Sequence, residues 1–89
     1  MALGTQLDYL SAMKPVIFTV IAQWDQEVGL WTGHCDEVPV VTEAPTLDLL
    51  FERATEQALD LLPDNHPGVE PGEVVIQLIA QREALAATA

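Results

Sequence analysis

Alternation of apolar and polar positions is clearest from Pro15 to Trp24. A period of two puts Val16, Phe18, Val20, Ala22 and Trp24 on one face and Ile17, Thr19, Ile21 and Gln23 on the other. This pattern predicts a first strand, and proline is tolerated at a strand's first residue. The first face is wholly apolar and belongs on a core. The second is half apolar, which suits a face that meets a partner subunit better than one left in water. Asp25-Gln26-Glu27-Val28-Gly29 is polar and ends in glycine, so it predicts a hairpin loop into a returning strand, Leu30 to Cys35. In that strand Leu30, Thr32 and His34 share one face, and Trp31, Gly33 and Cys35 the other. Gly33 signals either a bulge or a close backbone approach. Asp36-Glu37 makes a turn, and Val38 to Glu43 is the third strand of an antiparallel meander.

The period then changes. Pro45 cannot continue a central ladder, and Thr46 is a natural N-cap. From Thr46 to Leu62, the residues Leu47, Leu50, Phe51, Ala54, Ala58, Leu61 and Leu62 recur at three-and-four spacing, predicting a helix with these on its buried face. Asp48, Glu52, Glu56 and Asp60 follow one another by four and form an acidic stripe on an exposed side. Such like-charge neighbours cost a few tenths of a kcal/mol each, so the stripe has a local cost. Pro63 is expected to end the helix. A Pro/Gly-rich loop, Asp64 to Gly72, leads to a last strand, Glu73 to Gln81, with Val74, Ile76, Leu78 and Ala80 on one face and Val75, Gln77, Ile79 and Gln81 on the other.

These elements define an α+β domain, an antiparallel sheet in the order β-β-β-α-β with one helix packed on one face. Residues 1–13 read as an N-terminal extension, either disordered or left by an expression vector, residues 14–82 as the domain, and residues 83–89 as a C-terminal tail. Ile17, Ile21, Val75 and Ile79 make the second sheet face too apolar for a monomer. A homodimer is expected through that face or by edge-strand pairing.

Composition sharpens the choice of partner. The 89 residues carry fourteen acids against three bases, a net charge of −11. A phosphate backbone is bound through clustered cations, so direct nucleic-acid binding and binding to an anionic membrane are disfavoured, whereas a basic protein is attracted. No apolar run approaches the ~20 residues of a membrane span. A single cysteine, Cys35, forms no internal disulfide and fits a cytoplasmic setting.

The order of short motifs resembles a known family. Gly29-Leu30-Trp31, Asp36-Glu37-Val38-Pro39, Val41-Thr42-Glu43 and Thr46-Leu47 follow an opening strand and an acidic loop. The chain resembles the HicB antitoxin domain, and more closely a small uncharacterised family allied to it. HicB-like domains show a glycine-aromatic pair, an aspartate-x-proline turn and a threonine-leucine helix start. The turn here is one residue longer than the common form. The resemblance covers about Pro15 to Leu62, with a weaker match over Val74 to Ala80. It implies a partly degraded ribonuclease H-like fold and, as partner, a small basic ribonuclease toxin that is neutralised by being covered. Full HicB proteins usually carry a C-terminal ribbon-helix-helix or helix-turn-helix segment for operator binding; that function is not expected of these residues, which lack the basic positions such a segment needs.

On that reading the domain is not an enzyme: no residue is assigned a catalytic role, and no cofactor and no metal is expected. Asp48, Glu52, Glu56, Asp60 and Trp31 are the candidate partner-binding residues, and Ile17, Ile21, Val75 and Ile79 the candidate dimer face. Two alternatives stand beside it, an orphan oligomerisation module of the same fold and a weak metal-dependent nuclease. The second requires Asp25, Asp36 and Glu37 to converge on a divalent ion. His34 and Cys35 project to opposite faces of a regular strand. His34 is therefore set beside Asp36, and Cys35 reads as a small buried thiol.

Overall fold

A computed structural model describes residues 15–84. The extension expected over residues 1–13 and most of the 83–89 tail lie outside that range. Three strands, β1 (Val16–Asp25), β2 (Leu30–Cys35) and β3 (Val40–Ala44), precede a helix, α1 (Leu47–Asn65). A single 3-10 turn (Pro71–Glu73) then leads into β4 (Val74–Gln81). The fold is α+β, and the helix lies between β3 and β4 in the chain.

The spatial order is β3-β2-β1-β4. β1–β2 and β2–β3 are antiparallel, as hairpins must be, but β4 runs parallel to β1, so the sheet is mixed rather than wholly antiparallel. The cause is the helix. Its 19 residues return the chain by ~1.5 Å per residue to the end of the sheet where β3 began. β4 therefore sets off in the direction of β3, which is also that of β1. It docks on the free side of β1, with Ile17 beside Val75, Thr19 beside Gln77 and Ile21 beside Ile79.

Phe18, Val20 and Ala22 of β1 point under the helix, as alternation requires, and each is at most 1% exposed. Phe18 and Val20, together with Cys35, Val38 and Val40, meet Ala54, Ala58 and Leu62 from the middle of the helix towards its C-terminus. Ala22, Trp31 and Ala44 meet Leu50 at its N-terminal half. Full burial of a Leu, Val or Phe contributes roughly 1.5–3 kcal/mol, so these few large side chains carry most of the stability of a small sheet. Gly33 forms no bulge; it pairs in register with Ala22 on one side and Thr42 on the other. It is instead a close approach: a Cβ there would lie 3.2 Å from Leu50 Cδ2.

Three boundaries differ from expectation. β3 begins at Val40 rather than Val38, because the Val40 N–H donates to Val38 O at 2.7 Å and closes a tight turn. Val38 nevertheless packs into the core from that turn. The helix passes through Pro63 to Asn65. A proline deprives one carbonyl of its donor, and in the last turn that loss is small; the His66 N–H donates to Leu62 O at 2.8 Å and closes the end. Phe51, expected inside, is 37% exposed. Buried Leu50, Ala54, Ala58 and Leu62 form a stripe of strict four-residue spacing. Two alanines and Gly33 let the helix settle close to the sheet, and the narrow contact leaves Phe51 at its margin.

Candidate protein-binding surfaces

The helix presents the first surface. Thr46 has extended backbone, and its Oγ1 accepts from the Leu49 N–H at 3.2 Å, which fixes where the helix starts. Asp48 then stands in the first turn, where a carboxylate is favoured by the macrodipole. Asp48, Glu52, Glu56 and Asp60 are all exposed, as their spacing predicted. Beside them run half-exposed Phe51 and Leu59, eight residues apart, so an apolar strip flanks the acidic one. Among the described residues the charge is not cancelled nearby. Arg53 Nη1 donates to the backbone carbonyl of Glu43 at 2.7 Å, and Arg82 stacks over Trp24 at 4.4 Å from the ring centroid. Trp31 does not belong to this surface. It points from β2 into the core and is only 9% exposed, because position 31 shares the inward face with Gly33 and Cys35. Its ring meets Trp24 edge-on at 5.5 Å.

The second surface is the sheet face opposite the helix. Ile17, Val75 and Ile79 are 50%, 46% and 54% exposed, and Ile21 is half-buried among them. The register aligns Val41, His34, Ile21 and Ile79 in one row across all four strands. Val41, at 79% exposure, extends the patch to the far edge. Sequence reading passed over it: in Val38-Pro39-Val40-Val41 the phase of the alternation is undefined until the turn is placed. Gln77 Nε2 donates to Thr19 Oγ1 at 2.8 Å across the patch.

At the β2–β3 turn, one residue joins several parts of the chain. Glu37 Oε1 accepts from the Thr19 N–H at 3.0 Å and from Cys35 Sγ at 3.2 Å. β2 ends opposite Val20, so the Glu37 carboxylate serves the β1 amide just past that end. Those bonds, that from Thr19 first, hold the Glu37 carboxyl below its ordinary range. Burial pushes the Cys35 thiol up, away from a reactive thiolate. His66 Nε2 lies 2.7 Å from Glu37 O, and its ring packs on Phe18 at 5.1 Å between centroids. Nothing local in the sequence announces that contact, since residues 37 and 66 are 29 positions apart. His34 is exposed on the opposite face and makes no hydrogen bond with Asp36 among the described residues.

Asp25 and Glu27 lie at the β1–β2 hairpin, and Asp36 and Glu37 at the β2–β3 turn, at opposite ends of β2. The strand thus keeps Asp25 apart from Asp36 and Glu37. Among the described residues no three His, Cys, Asp or Glu side chains converge as a metal site would require. A shallow cleft of about 300 Å³ at the ends of β1 and β4 is lined by Gln23, Trp24, Gln26, Gln81, Arg82 and Glu83. No helix of the described residues is long and apolar enough to cross a membrane.

The described residues thus define a small α+β domain with one acidic, partly apolar helix face and one sheet face left uncovered among them. Residues 17–88 match the model of a family described as a domain of unknown function, DUF1902. The chain belongs to that family. It is similar to a solved structure, the hypothetical protein TTHA1013 from the extremely thermophilic bacterium Thermus thermophilus. The two share 34% identity with a TM-score of 0.65, over 78% of this chain and 97% of that one. Among curated proteins nothing matches.

Proposed function

We propose that this chain is a non-catalytic, cytoplasmic protein-binding domain of the HicB antitoxin type, which neutralises a small basic ribonuclease by covering it. The observation that carries the reading is the helix face. Four exposed carboxylates at four-residue spacing flank half-exposed Phe51 and Leu59. Charge of one sign steers a basic partner and fixes its orientation, and apolar anchors supply the desolvated contact that charge alone does not. The net charge of −11 extends the attraction beyond the contact itself. The motif order from Gly29 to Leu47 supports the same reading.

The test is co-expression with a small basic protein encoded in the adjacent reading frame. The expected result is a complex that co-purifies, relief of growth arrest, and affinity that falls as salt rises. The triple variant Glu52→Lys, Glu56→Lys, Asp60→Lys is expected to abolish both complex and relief. A toxic partner that this domain neither binds nor neutralises would overturn the reading. The bare apolar sheet face favours a second reading, an oligomerisation module with no toxin. It predicts self-association without capture of any basic partner.

A further inference from the structure

We infer that β4 is the seam of a two-fold homodimer, in which two copies pair β4 antiparallel to β4 and join their sheets into one of eight strands. The inference is independent of the toxin-binding reading, because it uses a different edge of the molecule. Among the described residues β4 ends the sheet, with one side paired to β1 and the other bare. Edge strands are ordinarily protected by charge, proline, a bulge or a covering element. β4 has none of the first three: Val74-Val75-Ile76-Gln77-Leu78-Ile79-Ala80-Gln81 contains no charged residue and no proline, and it pairs in unbroken register with β1. Nor is it well covered. The helix lies chiefly over β3 and β2 and scarcely reaches β4, so Ile76 and Leu78 stay half-exposed on the helix side while Val75 and Ile79 stand exposed on the other.

Charge identifies the occupant as a second copy. A chain of net charge −11 repels its own kind over most of its surface, and β4 is an eight-residue strand without an acid. Symmetry then selects the register. A two-fold axis through antiparallel strands sets some residue opposite itself. Centring it on Gln77 places Val75 opposite Ile79, Ile76 opposite Leu78, and Val74 opposite Ala80, apolar against apolar on both faces. The two Gln77 amides then face one another. Centring on Leu78 instead sets Gln77 against Ile79 and Val75 against Gln81. In the Gln77 register Arg82 of one copy also falls one step from Glu73 of the other, a complementary charge at each end.

Sedimentation equilibrium at micromolar concentration is expected to give twice the chain mass. Val75→Asp alone and Ile79→Lys alone each place two charges opposite apolar residues across the seam. Each is expected to weaken the dimer by about tenfold or more. Combined on one chain they set Asp against Lys twice, and dimerisation is expected to return. Both positions are about half exposed, so the variants stay folded, which circular dichroism checks. A second measurement uses Gln77→Cys in a Cys35→Ser background: mild oxidation is expected to give a covalent dimer, and Gln23→Cys in the same background is not. A monomer mass, or a dimer indifferent to both single charges, would overturn the inference. So would a double variant that fails to recover, since sandwich packing of the open faces has no such pairing.

Discussion

Gly33 is where the fit between helix and sheet can be measured. A Cβ added there would lie 3.2 Å from Leu50 Cδ2 and 3.4 Å from its Cδ1 and Cγ, against the ~3.5–4.0 Å at which carbon atoms rest. Leu50 is fully buried against Ala22, Trp31 and Ala44 and has little room to retreat. Two effects oppose one another. Alanine gains about 0.5–1 kcal/mol over glycine in a strand through the smaller entropy it loses on folding. Crowding a packed core costs about 1–3 kcal/mol. Gly33→Ala is therefore expected to lose about 1 kcal/mol, and Gly33→Val, with two more methyl groups in the same contact, about 3 kcal/mol. Urea titration gives both values from the midpoint at constant slope. For a domain of this size 1 kcal/mol also lowers the melting temperature by about 4–8 °C. Adding Leu50→Val to Gly33→Ala withdraws the crowding atoms, so the double-mutant cycle is expected to show about 1 kcal/mol of favourable coupling. A stabilised Gly33→Ala, or a strictly additive cycle, would mean that the helix does not press on the sheet at this point.

Thr46→Ala removes the hydroxyl that accepts from Leu49 N–H and is expected to cost about 1 kcal/mol in the same titration, with Thr46→Ser recovering most of it. Glu37 gives a pH test. Its folded carboxyl titrates below the ordinary range, so its contribution is full above that range and is lost as pH falls through the folded value. Glu37→Gln keeps an oxygen for Thr19 and Cys35 but has no proton to gain. Its urea midpoint is expected to fall less steeply on acidification than that of the parent, and parallel slopes would refute the linkage. Cys35, buried and with its thiol pushed up in pKa, is expected to react with a thiol reagent only slowly in the folded protein. The rate should rise along the urea unfolding curve, and fast labelling in buffer would contradict that burial.

Period-two and three-and-four spacing were enough to place every strand and the helix, because each element buries one face and its apolar residues must repeat with the backbone. The bare face around Ile17, Ile21, Val75 and Ile79 was legible for the same reason. Apart from the local turn that sets the phase of Val40 and Val41, what escaped depended on residues far apart in sequence. The direction of β4 follows from where the helix deposits the chain, which no local pattern encodes. The bond of Glu37 to the Thr19 amide joins positions 18 apart and needs the sheet already built. Trp31 lies inside with Gly33 and Cys35, as period two in β2 already required, whereas Phe51 escaped for another reason. Spacing tells which side of an element is apolar, but how closely two elements approach decides the width of the buried strip.

The placement of β4 also bears on how the polypeptide matures. β1 acquires its parallel neighbour only when residues nearly sixty positions later have been synthesised. The hairpins and the helix close over short loops and form early, whereas distant pairing is slow. During translation the growing chain therefore exposes β1 as an open, hydrophobic strand, the kind of edge on which nascent proteins stick to one another. A stop codon anywhere before Val74 would make that exposure permanent, and the expected product is an aggregate.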